Sequence, residues 1–212
     1  MNDQNKARVF TVAAVAALLV SISPAAVAAD PPAFQDKLSR GDLISALNRG
    51  GHVIYIRHAA TEKDYADQVS AVMGDCSTQR MLSETGWQEA RQIGAAFVAH
   101  NIPVASVYSS EYCRSWQTAD LAFGRYVKRR ELNFEPAEEY SEAQTKTMRD
   151  RLRPLLAQPP SPGFNTVLVG HDDPFEASTG IYPEPMGVAF ILKPDGQGGF
   201  DVLADVAPGE WF

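Results

Sequence analysis

Arg57 and His58 stand side by side, and two further basic side chains, Arg114 and His171, follow at the ends of later apolar runs. A guanidinium beside an imidazole suits an anion that must be held and then attacked. The first offers paired N–H donors and the second a nucleophilic nitrogen. Each cluster comes after a short stretch that reads as a buried strand: Val53-Ile54-Tyr55-Ile56, Val104 to Ser109, and Thr166-Val167-Leu168-Val169. In open α/β sheets ligands collect at the carboxyl ends of parallel strands, so the three clusters can converge on one edge.

The intervening stretches supply helices to fix those strands. Leu43, Ile44 and Leu47 place a short amphipathic helix over 41–48, ended by Gly50. Ser83 or Thr85 caps a helix from about Gly86 to Ala99, with Ala90, Ile93, Ala96 and Phe97 on its inner face. Another begins near Arg114 and stops at Gly124, and its first backbone N–H groups would help hold an anion. Ser141-Glu142-Ala143-Gln144 is a capping-box pattern for a helix reaching about Ala157, with Pro154 expected to kink or weaken it. Gly187 to Lys193 and Phe200 to Val206 flank a Pro-Asp-Gly turn and form a hairpin. Strands alternating with helices predict a three-layer α/β/α sandwich, and the hairpin makes its mostly parallel sheet mixed. Residues 61–80 and 174–186 lack a clean period and are expected to form the rim of a pocket. Trp87, Trp116 and Phe97, at helical spacing, are expected in the core.

The chain has 212 residues, enough for one domain with a sizeable core, and its hydrophobic and charged fractions are ordinary for a globular protein. Its first 29 residues read as a secretory signal peptide. Lys6 and Arg8 precede an apolar run from Val9 to Ile22, and small residues near Ala28 and Ala29 suit cleavage. The run is too short to span a bilayer comfortably, and no later stretch could span one. A single domain over 30–212 remains. Loss of Lys6, Arg8 and Asp3 leaves 17 basic and 25 acidic residues, a net charge of −8. That acidity argues against a nucleic-acid partner but not against an anionic substrate in a locally positive pocket. In an oxidising compartment the two cysteines, Cys76 and Cys113, favour a disulfide; they lack zinc-type spacing.

Three motifs in order carry a resemblance. Ile56-Arg57-His58-Ala59, then Ser109-Ser110-Glu111-Tyr112-Cys113-Arg114 with Gln117-Thr118-Ala119, then Val169-Gly170-His171 resemble the histidine phosphatase superfamily in its phosphoglycerate-mutase-like branch. Leu82-Ser83-Glu84-Thr85-Gly86 and Ala90 match that branch's segment before its first long helix. The resemblance implies a metal-independent, cofactor-free phosphomonoesterase of the same sandwich fold. His58 would attack phosphorus through the ring nitrogen remote from the backbone, its other nitrogen oriented by a hydrogen bond such as one to a nearby carbonyl. Arg57 and Arg114 would clamp the non-bridging oxygens, and His171 would steady the transition-state charge. The resemblance also implies a glutamate as acid for the leaving group. Glu138, 24 residues after Arg114, is chosen over Glu139, Glu111 and Asp172. Ala59 stands where glycine is common in the family, which would tighten the backbone approach to phosphate.

A bland reading suffices elsewhere. His52 is expected to be structural, and His100 to end a helix. Asp172 and Asp173 match no metal-ligand spacing. The expected partner is a small phosphorylated substrate, with an envelope glycan phosphate as the candidate by analogy. Competing readings are a phosphosugar mutase and a phosphate-ester-binding envelope protein without turnover. Oligomeric state is not legible.

Overall fold

The computed structural model describes residues 34–62, 71–137 and 139–211. The expected signal peptide, residues 1–29, lies outside the described residues. One sheet is built from β1 (Val53–Arg57), β2 (Val104–Ser109), β3 (Val127–Lys128), β4 (Asn165–Gly170), β5 (Ala189–Pro194) and β6 (Phe200–Val206), in the order β3-β2-β4-β1-β5-β6. β1, β2 and β4 run parallel with one another and β3 joins them in parallel; β5 and β6 are antiparallel, as the hairpin requires. The parallel register sets Arg57 opposite Gly170 and Ser109 opposite Val169, so the three polar clusters emerge at one edge.

Every residue of β1 is buried, which its central place in the sheet demands. Ile54 and Ile56 face a core shared with α1 (Arg40–Arg49), α2 (Glu84–Ala99) and α3 (Cys113–Phe123), through Leu47, Ile93, Phe97 and Ala119. Val53 and Tyr55 face the opposite core, formed with α4 (Glu142–Leu156) and α5 (Asp172–Thr179) through Leu152, Leu156 and Phe175. The result is the three-layer α/β/α sandwich expected.

Helix boundaries follow the caps. Ser83 accepts from Gly86 N at the start of α2, Ser141 and Gln144 form a capping box before α4, and Gly124 ends α3 in the left-handed region at φ 63°. Pro154 lies in the last turn of α4, which ends two residues later. Two elements escape the periodicity. β3 is only two residues long, and α5 begins with Asp172-Asp173-Pro174. Pro174 is tolerated there because first-turn N–H groups have no intrahelical acceptor.

Of the aromatics expected inside, only Phe97 is buried; Trp116 is half-buried, and Trp87 is 42% exposed. The inner face of α2 runs through Gly86, Ala90, Ile93 and Phe97, which turns Trp87 outward beside Arg91. α2 and α3 cross closely at Gly94, where a Cβ would stand 2.1 Å from Ala122 O. Gly94→Ala is therefore expected to push the helices apart and cost about 1–3 kcal/mol. A thermal melt several degrees lower than wild type would register this; an unchanged melt would show that the crossing yields freely.

Candidate active site

The turn leaving β1 is fully hydrogen-bonded, and this holds His58 in place. His58 N donates to Gly170 O (2.9 Å), Ala59 N to Thr118 Oγ1 (3.1 Å), and Ala60 N to the Glu89 carboxylate (2.9 Å). Ala60 O accepts from Ser83 N, and Gly86 lies so near that a Cβ there would sit 1.9 Å from that oxygen. The motif residues Ser83, Gly86 and Thr118 thus brace the nucleophile's loop. Ala59 is buried in an apolar cluster with Leu82 and Ala90.

His58 Nδ1 lies 2.9 Å from Ala59 O. A carbonyl only accepts, so Nδ1 carries the proton and Nε2 bears the lone pair. Arg114, in the first turn of α3, donates from Nε to that Nε2 at 3.1 Å. Arg114 also lies over the rings of Tyr112 and Phe134. The His58 and His171 rings are 5.4 Å apart between centroids, edge to face. The structure therefore brings His58, Arg114 and His171 together.

His171 is fixed at both levels. Its backbone N donates to Tyr55 Oη (2.9 Å), and the same hydroxyl donates to His171 O (2.6 Å). Gly170 leaves room for this latch, since a Cβ there would be 2.2 Å from Tyr55 Oη. His171 Nε2 lies 2.8 Å from Ser110 Oγ and 3.3 Å from Ser115 Oγ, while Nδ1 is buried without a hydrogen-bond partner. Ser110 gives its own hydroxyl proton to Asn133 Oδ1 (2.7 Å), so Nε2 donates to Ser110 Oγ, and Nδ1 can donate to an anion only once the ring is protonated.

Arg57 is placed differently from the two-pronged clamp expected. Its Nη1 donates to Glu184 (2.7 Å) and Pro183 O (2.8 Å), and its Nη2 to Asp172 (2.7 Å). Tyr182 covers the guanidinium and donates to Asp172. These contacts take three of the five guanidinium N–H groups, and among the remaining donors Nε is buried without a hydrogen-bond partner.

The acid candidates separate. Glu138 lies outside the described residues. Glu139 is exposed, Glu111 accepts from Asn133 Nδ2 (2.8 Å), and Asp172 is held by Arg57 and Tyr182. His52 is buried with no role at this edge, and His100 caps α2 and contacts Trp211 O, both as expected.

Sequence reasoning missed Tyr55, Ser110, Ser115, Glu89 and Gln79 as parts of this assembly. It also placed Arg80 only in the rim, whereas the Arg80 charge reaches both histidine rings. Ser110 lies within the quoted motif and Ser115 directly follows Arg114, so their nearness to it was the available signal.

Burial chiefly, then the Arg114 charge, holds His58 well below the usual imidazole value of 6.5. The same two causes, in the same order, act on His171. Both rings are neutral near pH 7. Above pH 6.5 the unfolded chain keeps them neutral too, so nothing is lost. Below it the unfolded chain takes up protons that the folded site excludes, and stability falls as pH falls, by up to about 1.4 kcal/mol per pH unit for each ring. Asp173, pushed up to about 6 chiefly by burial, acts oppositely below pH 6 because the folded state binds its proton first. Denaturant unfolding at pH 7.5 and 5.5 should show a net loss at the lower pH; equal stability would contradict the neutral burial of both rings.

Known proteins can be set beside this geometry. Structural likeness extends to the protein histidine phosphatase SixA complexed with tungstate, at TM-score 0.54 and 15% identity, covering 74% of this chain and 97% of that one. A phosphoserine phosphatase from Entamoeba histolytica in complex with phosphoserine gives 0.55 and 14%, covering 76% and 99%. Phosphoglycerate mutase from Thermus thermophilus gives 0.51 and 19%, covering 74% and 98%. At these identities the likeness is one of fold. No curated protein sequence matches the chain. A family model matches residues 53–166, more than half of the chain, and spans both the strand that ends in Arg57-His58 and the helix that presents Arg114; the chain belongs to the histidine phosphatase superfamily, branch 1.

Proposed function

We propose that the protein is an exported phosphomonoesterase that works through a phosphohistidine on His58. One observation carries this reading: a buried imidazole whose Nδ1 proton is tied to a carbonyl, so that the lone pair at Nε2 faces Arg114 Nε. That is the protonation state and orientation a nitrogen nucleophile needs. Arg57 Nε, a buried donor without a hydrogen-bond partner, supports an anion site, because buried polar atoms ordinarily find one.

In the proposed reaction the substrate phosphoryl group draws Arg114 from His58 Nε2 to its own oxygens. Nε2 attacks phosphorus as the bond to the leaving oxygen breaks, and that oxygen takes a proton from Glu138. Water then attacks the phosphohistidine and gives a proton back to Glu138, releasing inorganic phosphate and restoring the imidazole. Arg57 Nε, Arg114 and His171 stabilise the charge in both steps, the main demand of phosphoryl transfer. The same side chains supply that stabilisation in the absence of a metal. The Cys76–Cys113 disulfide is compatible with the oxidising compartment proposed for the protein, where an envelope glycan phosphate is the candidate substrate.

The test is phosphate release from an aryl phosphate in excess chelator, followed by rapid quenching. An acid-labile, base-stable phosphoenzyme is expected. Turnover with an acid-stable phosphoenzyme, or with none under conditions that trap other phosphohistidines, would count against His58 as nucleophile.

A further inference from the structure

The stretch from Gln79 to Leu82 lies between the two arms of the site. On one side it pairs with the chain leaving His58: Glu62 N donates to Met81 O (3.1 Å), and Thr61 and Leu82 form an antiparallel bridge. On the other side it meets the start of α3. Gln79 is fully buried; its Oε1 accepts from Cys113 N (2.8 Å) and its Nε2 donates to Val72 O (2.9 Å). Three residues before Gln79, Cys76 is bonded to Cys113 itself. Asp75 caps the 3-10 turn Cys76–Thr78 by accepting from Ser77 N, and Gln79 N closes it on Cys76 O.

Cys113 immediately precedes Arg114. One covalent bond and one buried amide therefore tie the first turn of α3 to a segment that is itself laddered to the nucleophile's loop. We propose that the Cys76–Cys113 disulfide and the Gln79 side chain form a positioning clasp, which sets Arg114 and Arg80 at the spacing a phosphoryl group requires. The inference rests on the phosphatase reading of the site. Arg80 stands between the two attachment points, next to Gln79 and next to Met81. Its Nε is buried, and its charge acts on both His58 and His171. A guanidinium on an untethered loop would hold no fixed angle to that position, and small displacements of binding groups are costly in such sites.

Binding of inorganic phosphate to the full protein, measured by titration calorimetry, reads the clasp independently of turnover. Three openings are compared: Gln79→Leu, which keeps the disulfide; wild type treated with a dithiol, which yields two cysteine thiols and the oxidised cyclic reagent; and C76S/C113S. Each is expected to weaken phosphate roughly tenfold or more. Arg80→Ala should also weaken phosphate in the oxidised protein, yet change little once the clasp is open, because the arginine it removes is then no longer held in place. A purely structural bond would lower the melting temperature without producing that non-additivity. Unchanged phosphate affinity in both Gln79→Leu and the reduced protein overturns the clasp, as does an Arg80→Ala factor that is equal with the clasp open and closed. A wild type that neither binds phosphate nor releases it from an aryl ester overturns the phosphatase reading and the clasp with it, whereas binding that survives the openings overturns the clasp alone.

Discussion

His58→Ala is expected to lower kcat for aryl phosphate hydrolysis by about 10⁴-fold or more, the scale of losing a nucleophile from an interdependent set. The loss should fall on kcat rather than on phosphate affinity. Arg57, Arg114 and His171 keep their supports in the variant, because these come from Asp172, Glu184, Tyr55, Ser110 and the start of α3, not from the His58 ring. Removing the imidazole also releases Arg114 Nε from Nε2, so inorganic phosphate should bind at least as well as to wild type. Quenched variant should contain no phosphoenzyme. Wild-type turnover by His58→Ala would move the nucleophile elsewhere; a large loss of phosphate binding with kcat preserved would make His58 a ligand.

Strand ends were the legible part of this site. β1, β2 and β4 are parallel and short, β1 and β4 buried and β2 half-buried, and each shows an apolar run broken by polar residues. Their boundaries are therefore marked in composition. The convergence of Arg57, Arg114 and His171 follows once the strands are known to be parallel. What the sequence conceals is who holds whom. Glu184 is 127 residues from Arg57, and Tyr55 is 116 from His171. No periodicity encodes pairings at that separation; they depend on how loops after β4 and before β5 fold back over the edge. Tyr55 shows the difficulty well. On a β-branched strand an aromatic ring reads as core, and its ring does stack on Phe175, yet its hydroxyl positions the backbone of His171. Helix α5 was hidden for another reason: two acidic residues and a proline look like a turn, but all three are favourable in the first turn of a helix.

The sharpest separation between a clamp and a mere neighbour comes from Arg114. Arg114→Ala is expected to reduce kcat by about 10²–10³-fold, as when one preorganised donor is lost from an oxyanion site. It should act on pH dependence as well. After burial, the Arg114 charge is the largest cause of the low His58 value, and it acts on His171 in the same direction. Without it both rings protonate at higher pH. A protonated Nε2 has no lone pair, so the acid limb of the kcat/KM profile should begin at higher pH in Arg114→Ala than in wild type. Arg114→Lys separates the two roles. Lysine restores a positive charge, so the acid limb should return toward that of wild type. It cannot restore a planar fork with Nε facing His58, so most of the kcat loss should persist. A profile that stays in place in Arg114→Ala while kcat falls would mean that Arg114 touches the transition state without setting the charge of the nucleophile. A full recovery of kcat in Arg114→Lys would mean that charge alone, not the fork, is what the first turn of α3 delivers.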